Sequence, residues 1–245
     1  MTTGLRILNY HNIACAPEGA ALIKLYVTPE DFARQMACLR RVGIRGVSLS
    51  EGLWHLERNR AHRVVALTFD DGYADNLTNA APTLRELGFS ATCFIVTHCI
   101  GTHNEWDAGL LRVQKPLMNV AQLREWQAEG LELGSHTRTH PHLETLGIEA
   151  ARAEIEGSRA DLERITGGRI EHFCYPYGEL NVRVAGQVKA AGYRSAVTTQ
   201  RAWARADDDP FQLPRVSIDG RRGILRFALK AVTPYGAWRR PEVAA

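Results

Sequence analysis

Two adjacent carboxylates, Asp70 and Asp71, stand where a near-continuous apolar run over 64–69 breaks into Gly72. Burying one ionised carboxylate is costly and burying two more so, unless a bound dication neutralises one and leaves the other ionised as a base. The commonplace alternative is an Asx turn that caps the next helix. Farther along, His136 and His140 enclose Thr137, Arg138 and Thr139, directly after a second short strand-like run. Histidines at i and i+4 share one side of a helical turn, so their ring nitrogens can meet at a single ion at roughly 2.0–2.1 Å. Otherwise such a pair is a polar surface turn. An aspartate with two histidines leaves coordination positions open, which suits a catalytic metal holding a water. Zinc fits these donors first, and cobalt, nickel or manganese would also be accepted. A third cluster, Tyr175-Pro176-Tyr177-Gly178, ends another strand with aromatic rings, proline and glycine; alone it reads as a strand stop.

Positioning these clusters requires a sheet whose strand ends converge. Apolar runs of four to seven residues alternate with segments of helical period, as in repeated βα units. Strands are expected over 5–10, 64–69, 91–96, 131–134, 172–175, 195–198 and 214–218. Helices are expected over about 29–42, 74–87, 120–129, 148–165, 182–191 and 222–231. Thr28, Pro29, Glu30 and Asp31 form a helix start, with cap, N1 proline and acidic first turn. The fold class is therefore α/β, a closed or nearly closed (β/α) barrel, with an open doubly wound sheet as the runner-up. No glycine fingerprint for a dinucleotide or P-loop follows any strand. The clusters at 70–71 and 136–140 fall at the carboxyl ends of their strands, the face on which barrel enzymes build their sites.

The chain's 245 residues, 45% hydrophobic and 23% charged, can bury a full core, and one domain over 1–245 is the simplest organisation. A formal charge of +3 with scattered Lys and Arg disfavours nucleic acid as a partner. Five cysteines without a CxxC pair suggest reduced thiols. Neither a signal-like start nor an apolar run of about 18 residues is present, so a cytoplasmic protein without an integral membrane segment is expected.

TFDDG at 68–72, HTRTH at 136–140 and YPYG at 175–178 resemble, in order and spacing, the first three motifs of the polysaccharide deacetylases of carbohydrate esterase family four. The opening ILNYHNI and the late LPRVSID also resemble the branch acting on poly-N-acetylglucosamine, so the likeness spans about residues 5–218. The resemblance implies a distorted (β/α) barrel of about seven parallel strands that removes an N-acetyl group from an amino sugar. It assigns Asp70 as general base, Asp71, His136 and His140 as metal ligands, and the backbone N–H of Tyr177 as an oxyanion donor. Two positions depart from the family pattern. Cys174 stands where many members carry an arginine that pairs with the base, and Leu213-Pro214-Arg215 lacks the histidine that often serves as acid. The general acid is thus left open, and His11, at the end of the first strand, is a candidate site histidine. Tyr175, Pro176 and Arg215 are expected to contact substrate, as is Trp106, whose indole in the long loop over 97–117 suits a sugar ring. A non-sugar amidase of the same fold and an inactive glycan-binding module are the alternatives.

Overall fold

The computed structural model describes residues 4–106, 108–220 and 223–233. The ends of the expected 1–245 domain, Asp107 in the long loop and Arg222 at the start of the last expected helix lie outside the described residues. Strands β1 (Arg6–Tyr10), β2 (Asn12–Ile13), β3 (Tyr26–Val27), β4 (Arg45–Val47), β5 (Val64–Phe69), β6 (Thr92–Ile95), β7 (Glu132–Ser135), β8 (His172–Cys174), β9 (Ser195–Val197) and β10 (Val216–Ser217) occur in chain order. Helices are α1 (Pro29–Arg41), α2 (Leu49–Glu57), α3 (Ala81–Leu87), α4 (Ala108–Leu111), α5 (Val120–Ala128), α6 (Ile148–Thr166), α7 (Val182–Ala190) and α8 (Gly223–Val232).

The main sheet runs β10-β1-β5-β6-β7-β8-β9, every pairing parallel, with β4 added along the first half of β5. Its two ends meet at 213–217. Leu213 bridges Val197 of β9 in parallel sense, and three residues later Val216 pairs with Leu8 of β1. The sheet therefore curls into a distorted (β/α) barrel, as the motifs imply, and the open doubly wound alternative falls.

Strand parity explains which side chains face inward. Along β5, Val65, Leu67 and Phe69 pack outward under the helices with Leu8, Tyr10 and Phe32, whereas Val64 and Ala66 belong to an inner cluster with Leu5, Ile7, Phe94, Cys174 and Val197. The same alternation makes Asn9, His11, Thr68 and Asp70 the next inward positions, so β1 and β5 are apolar at the foot and polar at the mouth.

The α1 start is as expected: Thr28 Oγ1 accepts from Asp31 N–H at 3.1 Å, and Pro29 opens the helix. The helix expected over 74–87 is interrupted, because Asn76–Ala80 forms a π-helical turn ahead of α3. Pro82 cannot donate to the preceding turn, and Asn76 Nδ2 is held by His11 O at 2.7 Å. Sequence reasoning missed β4, only three residues long and containing Gly46, and α2, although its cap at Ser48 with Glu51 three residues on was legible. Among the described residues, no helix is long and apolar enough to cross a membrane.

Candidate active site

Asp71, His136 and His140 bring one ligand atom each to within 4.8 Å of one another, and all three are buried. Asp71 Oδ1 lies 3.5 Å from His136 Nε2 and 3.6 Å from His140 Nε2. Ligands about 2.1 Å from one tetrahedral centre are separated by about 3.4 Å, so these spacings fit a zinc-like ion. A second possible donor group, Asp70, His136 and Cys174, is also present. There Arg215 bonds both the Asp70 carboxylate and Cys174 Sγ, which puts a positive charge where a cation would have to sit.

The histidines do not converge by way of a helical turn. Residues 136–140 form a loop in which Thr137 and His140 have φ of 67° and 60°. Asp71 and Tyr177 are also left-handed, at 76° and 60°. Such backbone costs roughly 1–3 kcal/mol per residue and persists only where surroundings enforce it. For the 137–140 turn α6 supplies the enforcement. Glu154 accepts from Arg138 N–H at 2.8 Å, Thr139 N–H at 2.9 Å and Thr139 Oγ1 at 2.8 Å, while Asp161 takes the Arg138 guanidinium at 2.9 and 3.2 Å. Gly157 lies between them on the helix, and a β-carbon there would collide with that guanidinium.

His136 donates through Nδ1 to Cys174 O at 2.8 Å, which turns Nε2 toward Asp71. Burial opposes its charged form, but interactions with Cys174 first, then with Asp71 and Asp70, outweigh that and raise its pKa well above the ordinary histidine value. His140 moves the other way. Burial, followed by the charge of His136, lowers it to about 3 and keeps it neutral. Burial would raise Asp71, yet its hydrogen bond to His136 and the charges of His11 and His140 hold it below the carboxylate range.

Arg215 was expected to touch substrate; instead its guanidinium lies behind Asp70, only 1% exposed. Its Nη1 and Nη2 each donate to one Asp70 oxygen at 2.7 Å, Nη1 also reaches Thr68 Oγ1 at 3.1 Å, and Nε donates to Thr198 O at 2.8 Å. Parity is the reason: Val216 packs outward, so Arg215 points into the barrel. Burial alone would raise the Asp70 pKa, but the charge and hydrogen bonds of Arg215 push it well below the carboxylate range. The small Cys174, whose Sγ is 3.2 Å from Arg215 Nη2, leaves the room that this arrangement needs.

These groups open into a cavity of about 430 Å³, lined by Asp70, Asp71, His11, His136, His140, Tyr175, Tyr177 and Trp106 among others. His11 Nε2 is 4.0 Å from Asp70 Oδ2, with its side chain 23% exposed. Tyr175 is buried and donates its hydroxyl to Phe211 O at 2.9 Å, so only part of its ring is left for a ligand. Pro176 is buried and outside the cavity lining. Trp106 stacks one face on the His140 imidazole, centroids 4.6 Å apart at 22°, so that face is taken by the protein. Asn9, Lys24 and Tyr73 line the cavity and were not anticipated; Asn9 could have been found as the inward position two before His11.

Known proteins share both sequence and fold with this arrangement. YxkH of Bacillus subtilis, named as a polysaccharide deacetylase, is 27% identical over 216 residues, covering 87% of this chain and 71% of its own. The poly-β-1,6-N-acetyl-D-glucosamine N-deacetylase of Staphylococcus epidermidis is 25% identical over 229 residues, covering 86% and 78%. The solved structure of the deacetylase PplD from Streptococcus pyogenes, in complex with acetate, superposes with a TM-score of 0.82 at 26% identity, covering 96% of this chain and 100% of that one. The polysaccharide deacetylase profile matches residues 57–196, a span that holds the carboxylate pair, both histidines and the YPYG turn, and on that match the chain belongs to the polysaccharide deacetylase family.

Proposed function

We propose that this protein is a metal-dependent hydrolase, one domain throughout, that removes the acetyl group from an N-acetylated amino sugar in a glycan or glycan precursor. The observation that carries this reading is the tetrahedral spacing of Asp71, His136 and His140 beside a carboxylate, Asp70, that Arg215 holds ionised. A dication bound there, zinc by donor type, would polarise the acetyl carbonyl and acidify a water. Asp70 accepts the proton of the attacking water. The Tyr177 N–H donates to the oxygen that becomes negative as the carbonyl carbon turns tetrahedral. An amine leaves only when protonated, and His11, beside Asp70 and partly open to the cavity, is the group that delivers the proton. Atoms balance as amide plus water giving acetate and a free amine.

Support for a sugar substrate comes from the staphylococcal relative, whose name specifies poly-N-acetylglucosamine, and support for acetyl removal from the acetate held by the deacetylase PplD. The test is acetate release from defined N-acetylglucosamine oligomers by chelated enzyme, with and without added zinc. Zinc-restored release supports the reading. Equal release from both preparations, or none from either while a simple ureide is hydrolysed, overturns it.

A further inference from the structure

The two candidate metal histidines are held by different physics. His136 has a backbone acceptor for its second ring nitrogen, whereas His140 Nδ1 is buried with no hydrogen-bond partner. Ordinarily the second nitrogen of a ligating histidine is fixed by an oxygen, which sets ring orientation. Around His140 an aromatic column takes that place. Trp106 stacks on the imidazole at 4.6 Å, Tyr177 meets it edge-on at 4.7 Å, and His142 stacks on Tyr177 at 3.9 Å.

Trp106 is carried by a loop that touches both ligand-bearing segments. At its start, Thr97 N–H donates to Thr137 O at 3.1 Å and His98 N–H to Arg138 O at 2.9 Å, in the turn between the histidines. At its end, Ala74 N–H donates to Pro116 O at 3.0 Å and Met118 N–H to Gly72 O at 2.9 Å, directly after Asp71. Hairpin-like bonds within the loop, Asn104 N–H to Lys115 O at 3.2 Å and Leu117 N–H to Thr102 O at 2.9 Å, keep its two arms together. The loop thus braces the Asp71 turn against the histidine turn and lays an indole over the histidine whose second ring nitrogen has no hydrogen-bond partner.

We infer that Trp106 is a positioning residue for His140 and that the 97–118 loop preassembles the metal site, so metal affinity depends on the indole. This inference rests on the metal reading above. Trp106→Ala removes the stack, and an aromatic pair of this kind converts to a loss of about three- to tenfold in dication affinity. Trp106→Phe keeps a ring over His140 and should stay within about twofold of the parent.

The experiment measures zinc and cobalt affinity by competition with a chromophoric chelator for the parent, Trp106→Ala and Trp106→Phe, with thermal melts of the chelated proteins to check folding. A second readout is tryptophan emission. Cobalt should quench the parent more than Trp106→Phe, because the difference isolates the indole beside the ion. Weakened binding by Trp106→Ala with near-parental binding by Trp106→Phe supports the inference. Parental affinity in Trp106→Ala, or identical quenching of parent and Trp106→Phe, overturns it and leaves the metal reading standing. A parent that binds no stoichiometric dication overturns both.

Discussion

Removing Arg215 should damage this protein twice, and the two effects have a common origin. The Arg215–Asp70 pair is bidentate at 2.7 Å, with the side chains 1% and 4% exposed. Arg215→Met leaves the Asp70 charge buried and deletes the bonds to Thr68 and Thr198, which places it in the class of broken buried pairs costing about 3–5 kcal/mol. For a chain of this length that corresponds to roughly 6–20 °C in Tm. The pH dependence fixes the sign. In the parent, Asp70 titrates below its unfolded value, so the pair stabilises the fold above about pH 4, and that contribution is lost as pH falls toward the folded pKa. Without Arg215, burial dominates and lifts the folded pKa above the unfolded one, so Asp70 opposes folding at neutral pH. The Tm gap between parent and variant, measured on chelated protein, should therefore be widest near about pH 7 and shrink toward about pH 4. The Asp70→Asn/Arg215→Met double variant should melt above Arg215→Met alone, since it buries no charge. In kcat/KM, the acid limb of Arg215→Met should move to higher pH, and adding Cys174→Arg, which brings a guanidinium to the vacated space, should move it back. A Tm within 2 °C of the parent at every pH (about a 1 kcal/mol effect at most), with an unmoved acid limb, would refute the reasoning.

Four further outcomes are expected. His11→Ala should lower kcat by about a hundredfold, the smaller end of general acid–base contributions, and flatten the basic limb of the pH profile; an unchanged kcat across the range would remove His11 from the mechanism. Zinc uptake should release about one proton near neutral pH, because His136, its pKa raised by Cys174, Asp71 and Asp70, must give up a proton to bind; titration calorimetry in buffers of different ionisation enthalpy reads it directly. Glu154→Gln, which weakens the three bonds that bind the 138–139 turn to α6, should reduce zinc affinity by about tenfold, as for other partners that orient ligands; chelator competition measures this. Saturating zinc at about a thousand times its Kd should stabilise the chelated protein by about 4 kcal/mol, and denaturant unfolding with and without metal would show it.

Much of this arrangement was legible because it is local. The near-continuous apolar run at 64–69 and the helix start at Thr28 specify a strand and a helix from neighbouring residues alone. The Asp71, His136 and His140 set could be read because the two segments that carry it each follow a strand, and parallel strands in a barrel bring their carboxyl ends to one mouth. Side-chain use was less legible. The i, i+4 spacing of the histidines suggested a helical turn, but left-handed Thr137 and His140 give the convergence instead, and what stabilises them is a carboxylate on α6 fourteen positions beyond His140. Trp106 read as a sugar platform, since nothing in the sequence shows that His140 lacks an oxygen for its second nitrogen.

Arg215 is the most instructive case, because its role depends on how the barrel closes. Strand-length runs and glycine placement do not reveal that 213–217 lies against both β9 and β1, yet that placement is what carries the guanidinium under Asp70. The family position that usually supplies the arginine holds Cys174, and the same segment that closes the sheet fills the gap. Ionisation of the base and integrity of the seam are then one property. A substitution that loosens the seam without touching the cavity, such as Leu213→Ala at 2% exposure, should cost about 2–5 kcal/mol in stability and also shift the acid limb of kcat/KM upward. Loss of stability with an unshifted acid limb would show that Arg215 keeps its place independently of barrel closure.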